Sequence, residues 1–369
     1  VPASQLDVFW DERVLNHETG EGIWEASASP LLWEQELHPE NSIRIRNMKH
    51  VLEHGPIADA LVWHDGRLAE IPELETIHHS EYIAQIAELC AAGGGRLTST
   101  TVVGPNSWEG LLAAAGTCLA AADAVISGEA QAAFALVRPP GHHAQPKQAD
   151  GYCVFSHAAL VAQRARNAGF ARIAVVDWDV HHGNGTQECF YAQSEVLTVS
   201  FHMDHGSWGP THLQTGAVDE LGCGDGMGFN INIAMPLGAG DKFYTTAFAE
   251  IAGPILREFA PDFIVCGVGQ DASAYDPNGR HNVTMAGFNR LGLQVAELAD
   301  ELCAGRLVLI QEGGYARSYA AYCLHATLEG ILGRHSQLPD PIAYVPDDTE
   351  RVDPTISHLK KHYAPYWKF

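Results

Sequence analysis

The chain has few cations for its size: 22 Lys and Arg stand against 45 Asp and Glu in 369 residues, a formal net charge of −23. Nucleic-acid binding wants a basic footprint, so no nucleic-acid partner is expected. An acidic balance favours solubility and attracts cationic ligands at long range. Cysteines are scattered singly (Cys90, Cys118, Cys153, Cys189, Cys223, Cys266, Cys303, Cys323), and no two stand in CxxC spacing. That excludes a zinc ribbon and a thioredoxin-like motif. Flanked by apolar residues, most read as small core residues in a reducing compartment. No basic-then-apolar leader pattern is present, and no apolar run approaches the roughly 20 residues that span a bilayer. The longest, Leu111 to Ile126, is Ala-rich and reads as a buried helix. The expected setting is the cytoplasm, without membrane contact. No polar low-complexity stretch resembles a linker and no internal repeat is visible. With 46% apolar residues the chain can bury a large core. One domain over residues 1–369 is expected, with 334–369 as a C-terminal extension packed on it.

Short β-rich runs alternate with longer helical patterns. Candidate strands are Ala60–Trp63, Ala132–Val137, Ile173–Asp177, Val196–Phe201, Asn230–Ile233, Phe263–Gly267 and Leu307–Gln311. Helical patterns cover Ser107–Ser127, His157–Ala168, Asp241–Phe259, Thr284–Cys303 and Tyr319–Gly333. Strands apolar nearly throughout, such as Ile173-Ala174-Val175-Val176, are those buried on both faces. The alternation predicts an α/β fold, a parallel sheet with helices on both sides. The stretch from Asp11 to Arg46, with Trp24 and Trp33, shows no clean periodicity and reads as a long functional loop over the site or at a subunit contact.

Four polar clusters each leave the end of an apolar run: Pro139-Pro140-Gly141-His142-His143, Asp177-Trp178-Asp179-Val180-His181-His182-Gly183-Asn184, Gln270-Asp271-Ala272 and Glu312-Gly313-Gly314-Tyr315. Ligands bind outside the carboxyl ends of strands in such sheets, so the four converge on one rim. Asp179 and His181 alternate on an expected extended segment and point to the same side. Asp271 completes a three-ligand set, and two Asp with one His leave a fourth position for water, the mark of a catalytic zinc site. A D-x-H pair alone is more often a surface or capping pair; its company promotes it.

His142 and His143 follow a rigid turn and can both face the reacting water, one as general base and then acid, the other as an electrostatic partner. Asp177 is placed to hold one imidazole and Asn184 the other. A carboxylate raises imidazole basicity more than an amide does, so the two rings should differ in pKa. Tyr315, behind two glycines, can donate a hydrogen bond to a developing oxyanion. His78, His79, His202, His205 and His212 read as surface, loop or hydrogen-bonded core residues.

PPGHHA, DWDVHHGNGTQ, GQDAS and QEGGY, in this order, resemble the histone deacetylase superfamily, over about Asp11 to Gly333. The resemblance is to its bacterial class II-like amidohydrolases and acetylpolyamine amidohydrolases, and it implies a bacterial-type protein. It further implies the single-domain arginase/deacetylase fold, with a central parallel sheet of about eight strands. It implies one Zn2+ held by Asp179, His181 and Asp271, His142 and His143 as the acid/base pair supported by Asp177 and Asn184, and Tyr315 as oxyanion donor. An inner structural K+ site would use Asp177, Asp179, His181, Ser200 and Phe201. An outer one would use Phe190, Gln193, Val196 and Phe229. Gly151, Tyr152, Trp208 and Gly314 would line the acyl tunnel, with Asn278 at its rim. The N-terminal loop resembles one used for oligomer contacts, implying a homodimer or homotetramer.

Two departures bear on substrate. Gln270 replaces an apolar residue before Asp271, and Asn278 stands where lysine deacetylases are apolar and one polyamine-selective branch is acidic. The implied activity is a zinc-dependent hydrolysis of N-acyl amides, of small molecules such as acetylated amines, polyamines or xenobiotic amides. A protein acetyl-lysine deacetylase is the near rival. An arginase- or agmatinase-like dimanganese hydrolase and a non-catalytic acyl-binding module are the other classes. The first needs further bridging carboxylates, and the second fits a chain lacking Tyr315 or His143.

Overall fold

Apolar runs bounded by glycines and polar residues become the strands of one sheet. The computed structural model describes residues 5–22, 29–204, 215–342, 345, 347 and 349–369. The strands are β1 (Leu6–Trp10), β2 (Leu61–Asp65), β3 (Gly95–Arg96), β4 (Val102–Val103), β5 (Ala132–Ala135), β6 (Ile173–Asp177), β7 (Val196–Met203), β8 (Asn230–Met235), β9 (Phe263–Val268) and β10 (Leu307–Gln311). β3 and β4 form a small antiparallel pair. The other eight form a parallel sheet in the order β2-β1-β5-β10-β9-β6-β7-β8.

The helices are α1 (Ser42–His54), α2 (Ile71–Leu74), α3 (Ser80–Ala91), α4 (Ser107–Ser127), α5 (His157–Asn167), α6 (Asn184–Phe190), α7 (Asp241–Ala247), α8 (Gly253–Phe259), α9 (Met285–Cys303), α10 (Tyr319–Ile331) and α11 (Val352–Tyr363). Side chains alternate across the central strands. Ala174, Val176, Ile264, Cys266, Leu307 and Leu309 enter a core shared with α1 and α7 to α11. Ile173, Val175, Phe263, Val265, Val308 and Ile310 face α4 and α5. Because both faces are covered, β6, β9 and β10 are buried throughout. By length and composition α4 could cross a membrane, but two thirds of its apolar window is buried inside this fold. It stops at Gly128, whose φ of 80° is the left-handed cap that glycine adopts without strain.

Several expected bounds needed correction. The N-terminal loop is shorter than the span from Asp11 to Arg46. β1 precedes it, a 3-10 turn occupies Glu12–Asn16, and α1 begins at Ser42, capped by Asn41 Oδ1 accepting from the Ile43 N–H at 3.1 Å. Trp24 lies outside the described residues, and Trp33 is exposed. The helix expected over Asp241–Phe259 is divided by a π turn at Phe248–Ala252. Pro254 has no N–H for the carbonyl one turn back, and the ladder widens just before it. Finally, β2 starts at Leu61 because Ala58–Ala60 forms a 3-10 turn.

The C-terminal segment docks on the far strand. Tyr363 Oη donates to the Asn232 carbonyl (2.8 Å), and Trp367 Nε1 to that of Gly228 (2.9 Å). None of the eight cysteines is paired. Cys223 is exposed, Cys189 half-buried and the other six buried.

Candidate active site

Strands β5, β10, β9 and β6 are consecutive in the sheet, so the four polar clusters that follow them meet at one rim. Asp179 and His181 lie on a bend after β6, not on an extended segment. They converge for a different reason than strand alternation. Asp179 Oδ1 accepts from the His181 backbone N–H at 3.0 Å and lies 3.1 Å from His181 Nδ1. Asp271 Oδ2 stands 3.0 Å from the same ring nitrogen, while its Oδ1 accepts from the Val180 N–H at 2.9 Å. One donor atom from each of Asp179, His181 and Asp271 lies within 4.8 Å of the others. Gly313 closes the cradle. Its N–H donates to Asp179 Oδ2 at 2.8 Å, and a Cβ there would overlap carboxylate oxygens of both Asp179 and Asp271. Two buried carboxylates and an imidazole aimed at one point, where one methyl would intrude, are a donor set that fits a single divalent cation.

The charges in this cluster depend on one another. Burial opposes ionisation of Asp179, but His142 and His181 hold it well below the usual carboxylate range. Burial and the neighbouring Asp179 push Asp271 up to about 7. Burial disfavours a charged His181, yet hydrogen bonds to the two carboxylates raise it to about 10.

Behind the cradle sit the paired histidines, their ring centroids 4.0 Å apart. His142 Nδ1 lies 2.8 Å from Asp177 Oδ2, and His143 Nδ1 lies 2.6 Å from Asn184 Oδ1. The Asn184 amide in turn donates to Asp150 Oδ2 at 3.1 Å. The two rings differ as their partners require. Burial works against charge on His142, but Asp179 and Asp177 outweigh it and hold its pKa well above the imidazole range. Burial, then the proximity of His142 and His181, drives His143 well below that range.

Tyr315 is buried, with its ring edge-on to Tyr152 at 5.5 Å and the Arg44 guanidinium 5.1 Å from its centroid. Burial keeps its phenol well above the usual range despite Arg44, so it holds a proton to donate. Gly151 (φ 49°) and Tyr152 (φ 71°) are both left-handed, and a Cβ at Gly151 would overlap the His143 ring. The turn thereby lays Tyr152 beside the site. Asn278 Nδ2 donates to Tyr152 Oη at 3.2 Å. Gly314 packs on Gln270 and Ala320, whereas Gly313 lies against both carboxylates and Gly269 against that of Asp179. Trp208, His205 and His212 lie outside the described residues.

Of the residues read as potassium ligands, Asp177 and Ser200 pair across β6 and β7, with Phe201 next along the strand. Phe190 ends α6, Gln193 follows it, Val196 opens β7 and Phe229 precedes β8. That second group sits at the opposite ends of the strands from the metal cradle. His78 and His202 are hydrogen-bonded core residues, His78 accepting from the Ser156 N–H at 2.9 Å and His202 lying 2.9 Å from the Gly216 carbonyl.

Several residues that the sequence leaves unassigned hold this arrangement. Glu312 Oε2 accepts from the Gly141 and His142 N–H groups at 2.6 and 3.2 Å, fixing the turn under the histidines. Burial pushes it up to about 8. Arg44 donates to the carbonyls of Gly314 (2.8 Å) and Glu312. Glu40 joins it to Arg138 through a paired ion bridge. Asp276 gathers the N–H groups of Tyr315, Ala316, Asn278 and Gly279. The one cue in sequence is Asp276-Pro277, a turn dipeptide. His142, Cys153 and Glu312 form another close buried group, but the backbone and Asp177 already engage two of its members.

Such a rim, with a paired-histidine site beside two carboxylates and a third imidazole, defines a hydrolase acting on amide bonds, of deacetylase or amidohydrolase type. Comparison with known proteins agrees. A model of the histone deacetylase domain matches residues 38–331. Histone deacetylase 8 of Arabidopsis thaliana is 46% identical over 370 residues, covering 99% of this chain and 98% of that protein. The histone deacetylase-like amidohydrolase of Pseudomonas aeruginosa is 38% identical over 306 residues, covering 83% and 80% respectively. The crystal structure of the HDA15 HD domain superimposes with a TM-score of 0.84 at 32% identity, covering 99% of this chain and 96% of that one. The chain belongs to the histone deacetylase family. The greater identity to the plant protein than to the bacterial one leaves the expected bacterial-type origin without support.

Proposed function

We propose that this chain is a zinc-dependent amidohydrolase that cleaves N-acyl amides, releasing a small carboxylic acid and an amine. The observation that carries this is the convergence of Asp179, His181 and Asp271 beside a histidine pair of opposed basicity. Zinc held by those three residues would polarise the acyl carbonyl and acidify water. His143, uncharged at neutral pH, takes the proton from attacking water and returns it to the departing amine. His142, held charged by Asp177 and Asp179, lends its positive field to the same point. Tyr315 donates its phenolic proton in a hydrogen bond to the acyl oxygen as that oxygen gains charge. The family-like potassium sites would then be structural, the inner one around Asp177 and Ser200 stiffening the strand end that presents the histidine partner.

For the substrate, the hydrogen bond between Asn278 and Tyr152 supports small-molecule amides. Among the described residues it makes the Asn278 position polar and uncharged, offering there neither an apolar contact for a lysine stem nor a carboxylate for a polyamine. The second reading, acetyl-lysine in proteins, is favoured by the 46% identity to a protein named histone deacetylase 8. Steady-state kinetics on acetyl-lysine peptides and on free acetylated amines separate the two. A higher kcat/KM for the free amines supports the first reading, and equal or better peptide turnover overturns it. The dimanganese reading lacks donors among the described residues, since Asp276 is engaged by backbone N–H groups and Asn184 by His143. Two manganese ions per purified chain would restore it. We also propose a homo-oligomer, dimer or tetramer, through the N-terminal segment, where Leu31 and Trp33 are 93% and 96% exposed.

A further inference from the structure

The last turns of α1 carry His50, Glu53 and His54 on the exposed side of the protein. Spacings of three and four place them on one helix face. The two imidazoles already lie side by side, centroids 4.1 Å apart and planes tilted by 31°. His54 Nδ1 sits 2.9 Å from the His50 backbone carbonyl. A carbonyl only accepts, so Nδ1 is the donor, and in the neutral ring this leaves the lone pair on Nε2. This is how a ligating imidazole is oriented, through its other ring nitrogen.

One donor atom from each of the three residues lies within 4.8 Å of the others. Tetrahedral bonds of about 2.1 Å require donors about 3.4 Å apart, a closure that exposed side chains on adjacent turns reach by rotation alone. The unpaired carbonyls at the helix C-terminus favour a cation there, and so does the net charge of −23. Lys49 pairs with Glu53 and competes for it. Its ammonium also lies 5.7 and 5.1 Å from the ring centroids of Trp10 and Trp63, so it keeps favourable neighbours when Glu53 turns to a metal.

We propose that His50, Glu53 and His54 form a surface site for a divalent transition metal of the nickel–zinc type, separate from the cradle of Asp179, His181 and Asp271. Imidazole suits these ions. An ion there staples the last turns of the helix whose Arg44 holds the Glu312 and Gly314 carbonyls, so occupancy is expected to raise the unfolding midpoint.

The test is a calorimetric titration with Ni2+ of untagged protein shown by elemental analysis to hold one zinc per chain, repeated on His50→Ala/His54→Ala and on Glu53→Gln. The wild type is expected to bind one Ni2+ equivalent more than the double variant, with a matching rise in unfolding midpoint. Glu53→Gln, which exchanges a carboxylate ligand for a neutral amide oxygen, is expected to bind it at least about tenfold more weakly, the least that loss of even an outer-shell partner costs. The double variant's turnover without added Ni2+ stays at the wild-type level, showing that it folds. Equal stoichiometry in wild type and double variant overturns the site, and unchanged affinity in Glu53→Gln overturns the three-ligand set.

Discussion

Asp276 accepts the backbone N–H of Tyr315 at 2.6 Å. The same carboxylate accepts from Asn278 at 2.9 Å, so one side chain ties the phenol's loop to the loop that carries Asn278. Because Asp276 is not among the cradle donors, its removal separates positioning from metal binding. Asp276→Ala is expected to lower kcat by about 10²-fold, the scale of a misplacement of about 1 Å. Metal content should stay unchanged. Steady-state kinetics beside metal analysis checks this, and a wild-type kcat would refute it.

Tyr315→Phe removes the hydroxyl but keeps the ring packed against Tyr152. The expected loss in kcat is about 10²–10³-fold, as for one oxyanion-hole donor. Bound metal should be retained, unlike in Asp271→Ala, where it should be lost. Elemental analysis of both variants tests the assignment, and metal retained by Asp271→Ala would contradict it.

Metal uptake should release protons. In the metal-free protein, despite burial, hydrogen bonds to the two carboxylates raise His181 to about 10, and burial beside Asp179 pushes Asp271 up to about 7. At pH 8.5 the ring is mostly protonated and the carboxyl mostly not, so an incoming ion displaces about one proton. As pH falls through 7, Asp271 also becomes protonated and release rises toward two. Affinity therefore falls as pH is lowered, and more steeply below 7. Calorimetry in buffers of different ionisation enthalpy measures the release; a value that stays flat from pH 8.5 to 6 would be inconsistent with this cluster.

Glu40 is fully buried between Arg138, Arg44 and His17. Burial opposes its charge, but Arg138 above all brings it down to about 2. Its folded pKa lies below the ordinary 4.5, so its stabilisation is complete above that value and lost as pH falls toward 2. Glu40→Ala leaves two guanidinium groups short of a partner and should cost about 3–5 kcal/mol near neutral pH. Denaturant unfolding measures this, and the variant's stability should fall less between pH 4.5 and 2.

The sheet was legible where strands are apolar on both faces, as in Ile173–Asp177 and Leu307–Gln311, and so was the rim, because its donors directly follow such strands. β1 escaped notice because Asp7 interrupts its short apolar run. The helix pattern of α1 is hidden by Arg44, a charged residue at a core-facing position that is there to bind carbonyls. Glu312 and Asp276 stayed unassigned for a related reason. A carboxylate whose work is to accept backbone N–H groups looks like any turn residue until the fold supplies those groups.

Cys223 is the single exposed thiol of eight. It precedes β8, at the end of the sheet away from the catalytic rim. Cys189, the half-buried one, has its thiol pushed up to about 12 by burial and is slow to react. A maleimide dye or spin label therefore attaches to the native chain at one defined point. It would report tumbling and subunit exchange in solution without any engineered cysteine, and without touching the chemistry at the other end of the strands.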